Sequence, residues 1–208
     1  MKTQVTKDHY EEGYDTLSRW ISYHYQIKSI LETKSKNVLE IGVGNGVVSD
    51  YLRKQKLKVT TCDFDNSLKP DVVADIRKLP FKDKEFDLVC ACQILEHLPY
   101  AESVKVLKEL RRISNKYVLI SLPYHSLRFD WIIRFQRIKQ IFGRDFFDLS
   151  IRIPRKTKIK FNGEHYWEIG AKGYPIKKIK KELKKNFKIV KQFSPVLNKY
   201  HEFFLLEK

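Results

Sequence analysis

The sequence predicts an α/β fold organised on a doubly wound, mostly parallel sheet, on three observations. Short apolar runs alternate with helical patterns from Asn37 to Pro123. The first run, Val38-Leu39-Glu40-Ile41, ends in three alternating glycines, Gly42, Gly44 and Gly46. The next two runs end in acids, Asp63 and Asp75.

Composition sets the frame. With 208 residues, 42% hydrophobic and 13% aromatic, the chain can bury a sizeable core and reads as one domain. No apolar run approaches the ~20 residues that span a bilayer. Met1-Lys2-Thr3-Gln4 leads into charged residues without a signal-peptide core, so the expected location is cytoplasmic. Cys62, Cys90 and Cys92 are expected as reduced thiols. The net charge is +16, and it is unevenly placed. Residues 1–121 carry 20 Lys+Arg against 17 Asp+Glu, whereas residues 122–208 carry 21 against 8. An excess of +13 in one half suggests an anionic partner there.

Taken in order, residues 8–32 begin with Tyr10 and Tyr14 and become helical. Leu17, Trp20, Ile21, His24, Ile27, Ile30 and Leu31 form the expected inward face. Strand one is Asn37–Gly42, and the helix after it covers Gly46–Lys54 with Val47, Val48, Tyr51 and Leu52 inward. Strand two is Lys58–Cys62, a short third is Val72–Ala74, and a fourth is Phe86–Cys92. A helix over Ala101–Arg112 and a strand over Lys116–Leu122 follow. This alternation implies parallel βαβ units. It stops at Pro123. Residues 123–175 are too long for a simple connection and read as an acceptor-binding or lid insertion with an aromatic-basic helix around Phe129–Phe142. Residues 176–208 supply a helix, Ile176–Lys185, and two closing strands, Phe187–Phe193 and Glu202–Leu206. The division is therefore 1–35 helical cap, 36–122 cofactor half, 123–175 insertion and 176–208 closing elements.

Glycines at a strand end permit a tight turn and close ligand approach. A dinucleotide fingerprint would place its last glycine at Val47; here it comes one residue earlier, at Gly46. An acid, Glu40, stands two before the first glycine. That suits S-adenosyl-L-methionine, whose cationic amino group an acid can hold, better than a pyrophosphate. Asp63 falls where an acid accepts both ribose hydroxyls. Asp75 is placed to accept from an adenine amino group, Ile76 or Phe64 to flank the ring, and Gln93 to sit beside the methyl-donor end.

Val38–Gly46, Cys62-Asp63, Ala74–Phe81, and Phe86–Val89 with Leu95-Glu96-His97-Leu98 resemble the successive motifs of class I S-adenosylmethionine-dependent methyltransferases. The likeness is closest to the ubiquinone/menaquinone-type small-molecule methyltransferases and runs from about residue 36 to 122. It implies a Rossmann-like seven-stranded sheet of order 3-2-1-4-5-7-6 with strand seven antiparallel. It also implies S-adenosyl-L-methionine as cofactor and S-adenosyl-L-homocysteine as product. Glu164-His165-Tyr166-Trp167-Glu168 is similar to a His-x-Trp segment of methyltransferases from bacterial surface-glycan clusters.

Methyl transfer is an in-line displacement on an activated sulfonium, so alignment and a dry pocket carry much of it. A hydroxyl or amine acceptor adds the need for a base, for which His97, His125 and His165 are the candidates, His97 and His165 foremost. Tyr124, His125, His165 and Trp167 are candidate acceptor contacts. No histidine pair has helical metal-ligand spacing and Cys90-Ala91-Cys92 lacks a second cysteine pair, so no metal is expected. The expected acceptor is a small molecule, or a glycan- or lipid-linked one, and anionic. In the basic half, Phe129, Ile132, Ile133, Ile138, Ile141 and Phe142 interleave with Arg128, Arg134, Arg137 and Lys139, a pattern that suits a lid or peripheral contact with anionic lipid. Two rivals are an RNA methyltransferase or RNA-binding protein that uses this half, and a nucleotide-dependent oxidoreductase.

Overall fold

The computed structural model describes Tyr10 and residues 13–134, 146–155, 157–161 and 163–208. Nine strands and four α-helices are defined among them. In chain order they are α1 (Leu17–Glu32), β1 (Asn37–Ile41), α2 (Val47–Lys54), β2 (Lys58–Asp63), β3 (Val72–Val73), β4 (Phe86–Cys92), α3 (Tyr100–Ile113), β5 (Ser114–Pro123), β6 (Ser126–Arg134), β7 (Phe146–Pro154), α4 (Ile176–Lys184), β8 (Lys188–Phe193) and β9 (His201–Glu207). Seven form one sheet of order β3-β2-β1-β4-β5-β9-β8. β1 pairs in parallel with β2 and β4, β2 with β3, and β4 with β5; β9 runs antiparallel between β5 and β8. This is the expected order, with the β6–β7 hairpin inserted outside it.

Alternation along the central strands builds two cores. Leu39 and Ile41 of β1, Val89 of β4 and Ile120 of β5 face α3 and α4 through Leu107, Leu110, Ile179 and Leu183. Val38, Leu88 and Leu119 face α1 and α2 through Ile30, Val48 and Leu52. Both faces are covered, which is why the inner strands read as continuous apolar runs. β1 ends at Ile41 because Gly42 adopts φ +86° and turns the chain; a Cβ there would lie 2.2 Å from Ile94 Cδ1. α2 starts on Gly46 in the left-handed region and carries Arg53 and Lys54 in its last turn, where cations favour the helix dipole.

Two expectations fail on helix faces. In α1, Leu17 is 69% exposed and Trp20 51% exposed, while Ser22, Tyr23, Gln26 and Ser29 are buried. The inward face is polar because it lies over a cavity and against β9, where Ser22 Oγ and His201 Nδ1 are 2.9 Å apart. In α2, Tyr51 faces solvent rather than the core.

The expected helix around Phe129–Phe142 is also corrected. Ser126–Arg134 is a strand, paired in antiparallel register with Phe146–Pro154; residues 135–142 of the expectation lie outside the described residues. Leu127, Phe129, Trp131 and Ile133 alternate at period two, and the ladder with Ile153, Ile151, Leu149 and Phe147 outweighs the helical spacing of the same residues.

Candidate active site

A cavity of about 350 Å³ opens at the carboxyl ends of β1, β2 and β4, where parallel sheets of this type bind ligands. Its floor is the glycine turn, and its roof comes from α1 and the segment before it. Of the residues singled out from sequence, Glu40, Gly42, Gly44, Asp63, Phe64, Ile76, Gln93, His97 and His165 line it.

On one wall the strand ends fix the side chains. Asp63 Oδ2 accepts from the Val43 N–H (3.0 Å) and Oδ1 from the Asp65 N–H (2.9 Å), which locks its carboxylate beside the turn. Burial raises its pKa although these bonds oppose the rise. Phe64 and Ile76 supply apolar surface across from it. Glu40 is buried, and its Oε2 has no hydrogen-bond partner among the described residues. Burial pushes its pKa up to about 8, which favours the neutral carboxyl at pH 7.

Gln93 follows β4 with φ +58°, a strained backbone for a residue with a Cβ. With its amide turned so that the oxygen accepts from Ser121 Oγ and the Leu122 N–H, its NH2 reaches Glu96 Oε1 and His201 Nε2, both at 3.3 Å. β4 thus feeds directly into the opposite wall.

That wall is a histidine–carboxylate cluster. His165 Nδ1 lies 2.9 Å from Glu168 Oε1, and Tyr200 donates its hydroxyl to the same oxygen at 3.0 Å. Burial pulls the His165 pKa down, but the bond to Glu168 and the nearby Glu96 carboxyl outweigh it and the net shift is upward. His97 stacks edge-on to His165 with ring centroids 4.9 Å apart, and its Nδ1 is 3.0 Å from the Glu164 carbonyl. Burial drops its pKa to about 4, which keeps it neutral. Glu96 is fully buried, with burial raising its pKa to about 7. Glu96, His97 and His165 each offer a ligand atom within 4.8 Å of the others, so the wall is able to hold a divalent cation. Spacing could not show this, because His165 lies 68 residues after His97.

Other sequence candidates stand elsewhere. Gly46 caps α2 and lines an adjoining recess. The Asp75 carboxylate is not on the cavity wall: Arg77 clamps it through Nε at 2.9 and 3.0 Å and holds its pKa below the usual carboxylate range. Trp167 is core, its Nε1 donating to the Leu98 carbonyl and Ser103 Oγ, both at 3.1 Å. Tyr124 sits under the Arg152 guanidinium, and His125 Nε2 is 2.7 Å from Thr157 Oγ1. Residues that sequence reasoning did not single out for the site include Arg19, Ser22, Gln26, Tyr200 and His201. The only signal for the first three was their polar spacing inside a helix.

The chain has the sheet order that the resemblance to class I S-adenosylmethionine-dependent methyltransferases implies. Within it, residues 39–120 match the family described as a methyltransferase domain. The chain is 26% identical over 145 residues to demethylmenaquinone methyltransferase of Thermotoga maritima, covering 59% of this chain and 62% of that protein. It therefore spans about three-fifths of the length of that relative. Magnesium protoporphyrin IX methyltransferase of Synechocystis, solved with bound S-adenosylhomocysteine, superposes with a TM-score of 0.63 at 15% identity over 96% of this chain and 90% of that one. The 1,6-didemethyltoxoflavin-N1-methyltransferase of Burkholderia thailandensis superposes at 0.62 with 12% identity, over 97% and 84%.

Proposed function

We propose that the protein transfers the methyl group of S-adenosyl-L-methionine to a small-molecule acceptor held at the His165–Glu168 wall. The observation that carries this reading is Glu40: a buried carboxyl with an unsatisfied oxygen at the edge of the cavity, at the glycine turn. Such a group suits a cationic amino group and not a phosphate. When bound, the cofactor supplies a methyl group already activated on a sulfonium. Glu40 then ionises and holds the amino group, Asp63 accepts the ribose hydroxyls, and Phe64 and Ile76 flank the base. Gln93 fixes the floor between cofactor and acceptor.

On the acceptor side, Glu168 holds the His165 ring with Nδ1–H toward it, which leaves Nε2 as the nitrogen that takes the acceptor proton. His97, neutral beside it, excludes water and does not compete for that proton. The +13 excess over residues 122–208 and the likeness to a demethylmenaquinone methyltransferase support an anionic or lipid-linked acceptor. Thermal-shift and calorimetric titration with S-adenosylhomocysteine, against NAD, tests the reading. Stabilisation by the first and not the second is expected; the reverse would replace it with an oxidoreductase.

A further inference from the structure

The β6–β7 hairpin is laid on the molecule with its polarity reversed. Arg152 of its inner face bonds Glu202 (3.2 Å) and Ser194, and Lys199 pairs with Asp148. Burial lowers the Arg128 pKa on the same face. The outer face carries Leu127, Phe129, Trp131 and Ile133 opposite Ile153, Ile151, Leu149 and Phe147. All eight are exposed, Leu149 by 64% and Phe129 by 57%. A surface hairpin ordinarily buries its apolar face and solvates the polar one; an exposed apolar ladder of this size marks an interaction surface.

Charge selects the occupant. Residues 126–160 contain ten Lys and Arg against three Asp, a net +7, and Arg155, Lys158 and Lys160 at the root of the hairpin are exposed. A second copy would bring like charge onto like charge. Nucleic acid would meet the cations but leave the aliphatic ladder wet. An anionic bilayer surface satisfies both, taking apolar side chains into the acyl boundary and basic ones among the head groups. We infer that the β6–β7 hairpin is a membrane-surface anchor that docks the protein on anionic lipid. Its roots lie at the acceptor wall: His125 precedes β6 and contacts Thr157, just after β7, and stands 3.8 Å from Glu168. Docking would therefore present that wall to molecules lodged in the bilayer. This last step rests on the proposed function; the anchoring itself does not.

The test is flotation of the whole protein with vesicles of neutral lipid alone, or with one-third phosphatidylglycerol, at about 0.15 M salt. Anionic vesicles should float the protein with a blue shift of Trp131 emission, and neutral vesicles should float little. The double substitution W131D/L149D, on exposed positions, should weaken flotation by at least about tenfold. It should leave stabilisation by S-adenosylhomocysteine unchanged, which shows the fold intact. Failure of that ligand to stabilise the wild type would sink the proposed function without touching the anchor. The anchor is overturned if wild type does not float, if W131D/L149D floats equally, or if light scattering shows a dimer that the double substitution dissolves. Salt-sensitive RNA binding without flotation would likewise overturn it.

Discussion

The two walls of the cavity are built in different ways. The wall proposed for the cofactor is made from the ends of consecutive strands, so Glu40, Gly42, Asp63 and Ile76 are placed by local backbone geometry. The wall proposed for the acceptor joins the turn at Glu96-His97, the segment Glu164–Glu168 and the start of β9 at Tyr200-His201. Its groups are held by one another instead of by strand ends. The first wall should therefore bind, and tolerate changes in the second; the second should govern turnover.

The sharpest way to break that division is to change His165. His165→Gln should lower turnover by about 10²- to 10⁴-fold and leave S-adenosylhomocysteine affinity unchanged. Because the His165 pKa is raised, wild-type turnover should climb with pH through a value above that of ordinary histidine, and the variant should lose that limb. Equal losses of affinity and turnover would dissolve the distinction between the walls.

Gly170→Ala attacks the acceptor wall through the backbone. At φ +84° a Cβ would lie 2.5 Å from the His125 carbonyl oxygen and 2.7 Å from the Tyr124 ring. Strain plus overpacking should cost roughly 2–4 kcal/mol in denaturant unfolding. An unchanged midpoint would show that the segment yields freely.

Glu40→Gln sharpens the other side. The folded protein keeps a proton on Glu40 up to about pH 8, whereas the unfolded chain loses it near the ordinary value of 4.5. Folded and protonated are linked, so stability falls as pH rises between those values. The glutamine variant should lack this decline and be more stable at pH 8, by about 1–3 kcal/mol. It should also bind the cofactor product less tightly. Wild-type binding at pH 7 should release close to one proton, seen as a buffer-dependent enthalpy in calorimetry.

Legibility followed the same division. Strand ends and the periodicity of β1 to β5 are local signals, so the sheet order and the residues that line the cavity at the strand ends could be read directly. Asp75 is held off the cavity wall by Arg77, two residues on, a pairing with no signature beyond two nearby charges. The α1 face was misread because apolar spacing assumes an apolar interior, whereas this helix turns Ser22 and Gln26 to a cavity and to His201. The hairpin carried strand and helix periodicities at once. What decided between them was a partner strand about twenty residues downstream. Tyr200 and Glu168 became neighbours only through the sheet.

The most direct test of the account is calorimetric titration of S-adenosylhomocysteine into wild type and Asp63→Ala at pH 7. Wild type should bind, the variant should lose more than about 1.5 kcal/mol because an ionised acceptor is removed, and NAD should give no heat. Equal affinity in the two proteins, or binding of NAD instead, would contradict it.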